Sequence, residues 1–230
     1  MTDNSTDVLR GLWHDMALIR KAYPDGPEAW LDVYHRVNAG LWRDYAKALI
    51  SRSCLRLERF AIPLVEGGIP RGEAEAASLS LDGIYLDRLG SCPGLLPGAR
   101  ELLDKVEASP LSKPGIISNG FKEVQHRKLV SSGIEDYFSA VVLSDDIGVN
   151  KPDRRIFDHA LAATATKAED SIIAGDNPLT DILGALQAGW QRAIWFNPTG
   201  APLPPELARY SPERLQTAAS LEEVAALLGV

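Results

Sequence analysis

The chain has 230 residues, of which 45% are hydrophobic and 24% charged, and its formal net charge is −7. This composition is typical of a globular protein that forms one large domain, or a core with a smaller insert. An acidic chain without a run of Lys or Arg is a poor partner for nucleic acid or an anionic membrane surface, so we expect neither. No apolar run approaches the roughly 18 residues of a membrane span.

The cysteines and the amino end bear on location. Cys54 and Cys92 are the only cysteines and show no CxxC spacing, which predicts a reducing compartment and no zinc site. Residues 1–7 lack the basic and apolar blocks of a signal peptide. We therefore expect a cytoplasmic protein, and the sequence leaves its oligomeric state open.

Residues from about 7 to 90 carry apolar side chains at helical spacing. One run extends from Val8 to Ile19, a second follows Pro27, a third covers 54–60, and a fourth follows Pro70. Proline suits the first turn of a helix. Helical runs with little strand signal predict a helical bundle.

After Cys92 short apolar runs alternate with amphipathic segments. The predicted strands are 115–117, 140–143, 172–174 and 193–196, and the predicted helices are 99–108, 124–131, 155–163, 179–188 and 221–228. This alternation predicts an α/β fold with a doubly wound parallel sheet covered on both faces and right-handed crossovers.

Polar residues follow the predicted strands, and in an open parallel sheet ligands bind at the carboxyl ends of the strands. Ser118, Asn119 and Gly120 follow the first strand, and Lys151 comes a few residues after the second. Hydroxyl, amide and backbone N–H donors beside an ammonium are the groups that bind a phosphate. Each motif alone is often only a turn or a helix cap, but their joint occurrence in this order predicts a phosphate site.

Two carboxylates follow the third strand. Asp176 comes directly after it, and Asp181 lies one turn further on. Mg²⁺ prefers hard oxygen ligands, usually one or two carboxylates with waters and substrate oxygens. We therefore expect Asp176 to bind Mg²⁺, and Asp181 either to support the metal or to orient Lys151.

Three motifs together resemble those of the haloacid dehalogenase superfamily of phosphohydrolases. They are Ile116-Ile117-Ser118-Asn119-Gly120, Gly148-Val149-Asn150-Lys151-Pro152-Asp153 and the segment Gly175-Asp176-Asn177-Pro178-Leu179-Thr180-Asp181-Ile182. The stretch from Val37 to Tyr45 resembles the branch that contains pyrimidine 5′-nucleotidases. The resemblance covers about residues 7 to 230.

The resemblance implies a role for each matching residue. Ser118 would bind the transferring phosphoryl group, with help from Asn119 and the amide of Gly120. Lys151 would neutralise charge on the nucleophile and the phosphate. Asp176 would bind Mg²⁺ and Asp181 would support that site. The implied partner is a small phosphorylated metabolite.

The resemblance also implies a domain arrangement. Residues 1–7 and 92–230 would form a Rossmannoid core, and residues 8–91 an inserted helical cap that closes over the substrate. Three aromatic side chains of this cap either line the substrate pocket or pack in its core: Trp42, Tyr45 and Tyr85.

One motif of the family has no match in these residues. The family's chemistry requires a central strand that ends in Asp-x-Asp-x-Thr, whose first Asp attacks phosphorus and whose second acts as acid and base. Residues 2–5 resemble the tail of that motif, which makes Asp3 the second Asp and places Met1 at the nucleophile's position. Alternatively, residues 3–5 are only a polar helix cap before Val8. The first core strand is then absent or truncated, and its loss exposes apolar strand edges.

The leading hypothesis is a Mg²⁺-dependent phosphomonoester hydrolase, acting on nucleoside monophosphates through an aspartyl-phosphate, in a chain that starts downstream of its nucleophile. As given, the chain is predicted to be inactive or nearly so. A second hypothesis is a non-catalytic module that binds phosphate ligands. A third is a dehalogenase, which shares the fold and the Asp nucleophile but needs no metal.

Overall fold

The structure is a computed structural model that describes residues 4–111 and 113–230. The chain divides into two compact units, of which the first ends at Gly94 and the second begins at Leu95. No helix in the described part of the chain is long and apolar enough to cross a membrane.

The first unit consists of helices, as predicted. The expected run from Val8 to Ile19 forms two helices rather than one, because Met16 adopts an extended backbone with φ −100° and ψ 110°. The assignment of residues 1–7 to the core and of 8–91 to a cap stays a prediction. The helices are α1 Ser5–Asp15, α2 Ala17–Ala22, α3 Pro27–Ala46, α4 Arg52–Glu66 and α5 Arg71–Gly90.

Aromatic side chains form the centre of this unit. Trp30, Tyr34 and Phe60 are fully buried, and Tyr85 is 4% exposed. The ring centroids of Tyr34 lie 5.4 Å from Trp30 and 5.2 Å from Phe60. Tilted ring pairs at such distances contribute about 0.5–1.5 kcal/mol each beyond their burial. Tyr85 therefore packs in the core of the helical unit.

The second unit alternates strands and helices. Its strands are β1 Gly115–Ser118, β2 Ala140–Leu143, β3 Ile172–Gly175, β4 Arg192–Phe196 and β5 Leu215–Ala218. Its helices are α6 Ala99–Ala108, α7 Lys122–Ser131, α8 Ser144–Ile147, α9 Arg154–Thr164, α10 Gly184–Gln187 and α11 Leu221–Leu228. A π-helical turn, Pro178–Leu183, leads into α10, and 3-10 turns cover Glu135–Tyr137, Ala168–Asp170 and Pro205–Leu207. Strand β5 is an addition to the predicted elements.

All strands pair in parallel, and they form two sheets. β1 pairs with β2, with Ile116 opposite Val141, and β3, β4 and β5 form the second sheet in that order. Among the described residues β1 pairs only with β2, and β3 only with β4, so each keeps one edge without a neighbouring strand. Two short parallel sheets agree with the predicted doubly wound fold whose first core strand is absent or truncated.

Helix α9 supports both sheets from one side. Its apolar side chains Ile156, Phe157 and Ala160 are buried in one core with Val142 of β2 and Ile173 of β3. Contacts within this shared core hold the two sheets in one unit. Helix α9 thus packs directly on β1 and β2 and shares its apolar core with β3.

Candidate functional site

Lys151 connects the carboxyl ends of the two sheets. Its Nζ lies 2.9 Å from the backbone carbonyl oxygen of Ile117 in β1. The same atom lies 2.8 Å from Oδ1 of Asp181, which belongs to the π-helical turn after β3. Both side chains are largely buried, with exposed fractions of 12% and 9%. The predicted lysine and carboxylate are therefore brought together.

The ammonium lies at the unpaired edge of β1. The carbonyl of Pro114 accepts a hydrogen bond from Ser139 N at 2.8 Å, so the peptide group before β1 faces β2. Carbonyl groups alternate between the two edges along a strand, so that of Ile117, three residues later, faces away from β2. An ammonium has three N–H donors, and Ile117 and Asp181 take two of them. Among the described residues the third N–H has no acceptor, so it is open to a ligand.

Asn119 contacts the backbone of Lys151 with both polar atoms of its side chain. Its Nδ2 donates to the carbonyl of Lys151 at 3.0 Å, and its Oδ1 accepts from the amide of Lys151 at 2.7 Å. The expected phosphate-binding role of Asn119 stays a prediction. The structure shows its amide engaged with Lys151.

Ser118 and Gly120 form a tight turn after β1. The amide of Gly120 donates to Oγ of Ser118 at 3.0 Å, and this hydroxyl keeps its own proton for donation to a ligand. A Cβ on Gly120 would collide with the side-chain amide of Gln125. These atoms belong to the flexible end of the Gln125 side chain, which can rotate away, so packing alone does not require glycine here.

Asp176 follows β3 and presents its carboxylate to solvent. The residue is exposed, and among the described residues its carboxylate has no hydrogen bond or ion pair. Its backbone carbonyl accepts a hydrogen bond from Nε1 of Trp195 at 3.0 Å, which fixes the start of the loop. Asn177 next to it caps the π-helical turn by accepting from Leu179 N at 3.1 Å and Thr180 N at 2.9 Å.

Asp181 is buried and held by donors on both carboxylate oxygens. Oδ1 accepts from Thr180 Oγ1 at 3.1 Å in addition to the Lys151 contact, and Oδ2 faces the amide of Asn177 at 3.3 Å. A Cβ on Gly175 would lie 2.7 Å from Oδ2, so the carboxylate packs directly on the end of β3. Of the two roles expected for Asp181, this geometry favours orientation of Lys151.

The donor set fits Mg²⁺ through one residue. Within the described residues no group of three or more His, Cys, Asp or Glu side chains is placed to hold a metal ion. Asp176 supplies one open carboxylate, and Mg²⁺ commonly binds one or two carboxylates together with waters and phosphate oxygens. Asp176 would therefore hold the ion with help from ligand oxygens. The predicted acid Asp3 lies outside the described residues.

Asp153 caps helix α9 two residues after Lys151. Its carboxylate accepts from the amide of Arg155 at 2.9 Å and from the guanidinium NH2 of Arg155 at 2.6 Å. These side-chain and backbone hydrogen bonds from Arg155 lower the pKa of Asp153 to about 2. The cap thus stays ionised at neutral pH and fixes the start of the helix that supports both sheets.

Sequence reasoning missed two residues that shape this site, Thr180 and Trp195. The role of Thr180 could have been predicted from the sequence, because its hydroxyl lies next to a functional carboxylate and can donate to it. The role of Trp195 could not have been predicted, since its indole contacts Asp176 from a strand 19 residues away. Only the packing of β4 beside β3 brings them together.

Comparison with known proteins agrees with these motifs. The family model described as haloacid dehalogenase-like hydrolase matches residues 92–195. Pyrimidine 5′-nucleotidase YjjG of Escherichia coli is 33% identical over 165 residues, which cover 71% of this chain and 69% of that protein. Phosphoserine phosphatase of Thermus thermophilus is 37% identical over 112 residues, which cover 49% of this chain and 44% of that protein.

A solved structure extends the similarity over the whole chain. The HAD-hydrolase YfnB of Bacillus subtilis, described as bound to magnesium, superposes with a TM-score of 0.79 at 25% identity and covers 98% of this chain and 91% of its own. The predicted relation to the phosphatase branch with pyrimidine 5′-nucleotidases is confirmed by the match to YjjG. With three motifs at the carboxyl ends of its strands, this chain belongs to the haloacid dehalogenase-like hydrolase family.

Proposed function

We propose that the site of this chain serves the hydrolysis of small phosphomonoesters, with nucleoside monophosphates as the substrate class. The observation that carries the proposal is the placement of Lys151. Its ammonium is fixed at the carboxyl end of β1 beside Ser118, and in the part of the chain that the structure describes one of its N–H groups has no acceptor. A fixed positive charge next to a free hydroxyl proton is suited to phosphoryl oxygens.

Each residue has a defined part in this proposal. Ser118 donates its hydroxyl proton to a phosphoryl oxygen, and Lys151 donates its remaining N–H to another. Asp181 holds the ammonium in place through the 2.8 Å contact between its Oδ1 and Nζ of Lys151. Asp176 would hold Mg²⁺, which supplies charge neutralisation to the bound phosphate.

The attack on phosphorus requires a further carboxylate. Asp181 is occupied by Lys151, and Asp176 is assigned to the metal. No Asp-x-Asp-x-Thr sequence occurs in the 230 residues. We therefore propose that the chain as given binds phosphate but does not form the aspartyl-phosphate, so that its turnover is absent or nearly so.

The substrate class is supported by what the relatives are named for. The match to YjjG extends over most of this chain, and that protein is named a pyrimidine 5′-nucleotidase. Phosphoserine phosphatase and a glyceraldehyde 3-phosphate phosphatase of Methanothermobacter thermautotrophicus are further relatives. All three names describe small phosphorylated substrates. We propose a cytoplasmic location, in line with Cys54 and Cys92, which are both free thiols.

The proposal is tested by a hydrolysis screen of three proteins. They are the chain as given, a version extended by an apolar strand that ends in Asp directly before Thr2, and the same extension ending in Asn. A panel of nucleoside monophosphates and sugar phosphates is assayed with and without Mg²⁺. We expect Mg²⁺-dependent phosphate release from the Asp extension alone. Equal activity in all three proteins would overturn the proposed need for a nucleophile.

The two alternatives are separated by adding a phosphate-binding measurement and a halide-release assay on the same three proteins. A phosphate-binding module would bind inorganic phosphate, and neither extension would hydrolyse any ester. This alternative draws support from Asp181, whose oxygens are both occupied. A dehalogenase would release halide from 2-haloacids in the presence of EDTA, because that chemistry needs no metal.

A further inference from the structure

We propose that Asn119 is a positioning residue for Lys151 and acts on the ligand through that lysine instead of contacting it. The inference depends on the proposed function only for what Lys151 binds. The position of Lys151 itself can be measured without any assay of activity.

The contact is a closed pair of hydrogen bonds. The Asn119 amide donates to the Lys151 carbonyl at 3.0 Å and accepts from the Lys151 amide at 2.7 Å. Both distances lie in the normal range for strong N–H···O bonds. Because one carbonyl and one amide of the same residue are held, the backbone of Lys151 can neither shift nor rotate without breaking a bond.

The lysine is consequently attached to one strand end at two points. Asn119 directly follows β1 and holds the backbone of Lys151, while Nζ of Lys151 returns to the carbonyl of Ile117 in the same strand. A free lysine side chain has many rotamers, and fixing them is opposed by up to about 2 kcal/mol of entropy. Anchoring the backbone reduces the number of orientations from which Nζ reaches its place. Supporting contacts of this kind set the precision of a site.

The chain offers a matched control in Asn197. Its Nδ2 donates to the carbonyl of Ala201 at 2.9 Å, and its Oδ1 accepts from the amide of Ala201 at 3.0 Å. Asn197 is 7% exposed and holds a loop that contains no lysine. An alanine at this position removes an equivalent pair of bonds, together with a 3.2 Å hydrogen bond from Thr199 Oγ1, and leaves Lys151 untouched.

The test measures how fast Lys151 reacts with an amine-acylating reagent. The wild-type chain, Asn119→Ala, Asn119→Asp and Asn197→Ala are labelled briefly in the folded state, and modification is quantified by peptide mass spectrometry. Lys167, whose side chain is 75% exposed, serves as the internal reference. At 12% exposure Lys151 should label slowly in the wild-type chain.

We expect Asn119→Ala to raise the labelling of Lys151 relative to Lys167 by about thirtyfold, since loss of two hydrogen bonds of ordinary net strength shifts a local equilibrium by about that factor. Asn119→Asp keeps the acceptor for the Lys151 amide and should give a smaller rise, and it decides the question if the alanine variant does not fold. Asn197→Ala should leave the ratio unchanged. An unchanged ratio in both Asn119 variants, or an equal rise in Asn197→Ala, would overturn the inference.

Binding of inorganic phosphate separates this inference from the proposed function. If Asn119→Ala raises labelling and weakens phosphate binding, both stand. If labelling rises and phosphate affinity is unchanged, Asn119 still positions Lys151, but the phosphate role of Lys151 is wrong. If phosphate binding weakens and labelling is unchanged, Asn119 contacts the phosphate itself and the inference is wrong.

Discussion

Lys151, in the loop between α8 and α9, and Asp181, in the turn after β3, form a largely buried ion pair. Two charges removed from water gain from each other only if their remaining hydrogen-bonding groups are also satisfied. Here Thr180 and the amide of Asn177 complete the shell of the carboxylate. The pair therefore stabilises the fold, and it also fixes the position of the Lys151 ammonium in the site.

Removal of the lysine alone should be strongly destabilising. In Lys151→Met the carboxylate of Asp181 stays buried without its counter-charge, and loss of one partner of a buried pair typically costs about 3–5 kcal/mol. The double variant Lys151→Met, Asp181→Asn should recover most of this loss. The free energy of unfolding is measured with urea for both single variants and the double variant.

An exposed ion pair provides the control for this cycle. Arg154 and Asp158 lie 3.2 Å apart with side chains 70% and 49% exposed, and pairs of this kind contribute about 0–1 kcal/mol. Arg154→Met should therefore have little effect. A loss in Lys151→Met no larger than that in Arg154→Met would show that the buried pair does not hold the two sheets.

At the scale of elements, α9 is the helix that supports both sheets, and its first turn depends on Asp153. The side chain accepts from the amide of Arg155 and also pairs with the guanidinium of Arg155. Asp at an N-cap satisfies amides that have no partner within the helix. The position of Lys151, which lies two residues earlier, is coupled to this cap along the chain.

The cap gives a prediction with a pH dependence. Asp153→Ala should lower the free energy of unfolding by about 1 kcal/mol at pH 7. The pKa of Asp153 falls from an ordinary 3.8 to about 2 in the folded state, so the ionised cap stabilises fully above pH 4. As the pH falls from 4 to 2 the difference between wild type and Asp153→Ala should shrink.

Asp153→Asn separates the charge from the hydrogen bond. Asparagine caps a helix about as well as aspartate but does not titrate. Its difference from Asp153→Ala should therefore stay constant between pH 5 and 2. A wild-type difference that is equally constant over this range would contradict the lowered pKa.

Elements with strong local patterns could be predicted from the sequence to their ends. Helices Ala99–Ala108 and Leu221–Leu228 and strand Ala140–Leu143 have the predicted bounds. Strand β5 was missed because Gln216 and Thr217 interrupt its apolar pattern, and its strand conformation follows from pairing with β4. The break at Met16 was missed because neither Pro nor Gly marks it.

The candidate site could be predicted as a set of positions but not as a set of contacts. The predicted positions follow from one rule, that functional groups lie just after the carboxyl ends of parallel strands. These positions are Ser118, Lys151, Asp176 and Asp181. Lys151, the partner of Asn119, lies 32 residues away in the sequence. Because Asn119 binds its backbone, the contact does not depend on the side chain at that position and cannot be predicted from residue type. The local sequence therefore predicts which functional side chains follow each strand, while tertiary packing determines which side chain or backbone group each of them contacts.

At the scale of the whole molecule, the core contains two parallel sheets that one central strand would join into a single sheet. β1 and β3 each have an edge without a neighbouring strand among the described residues, and Ala174 of β3 is exposed. Unpaired edges attract other strands unless they are covered or charged. Lys151 places its ammonium on the Ile117 carbonyl at one of these edges.

The central claim is that the site formed by Ser118, Lys151 and Asp176 binds phosphate together with Mg²⁺. The direct measurement is calorimetric titration of the chain with inorganic phosphate, with and without Mg²⁺, compared with Ser118→Ala and Asp176→Asn. Asp158→Asn, an exposed acid on α9, serves as the control.

We predict saturable binding that Mg²⁺ strengthens in the wild-type chain and in Asp158→Asn. Ser118→Ala should weaken binding by about fivefold to tenfold, the effect of one hydrogen bond of ordinary net strength. Asp176→Asn should lose the effect of Mg²⁺. Absence of phosphate binding by the wild-type chain, or equal affinities in all four proteins at both metal conditions, would contradict the account.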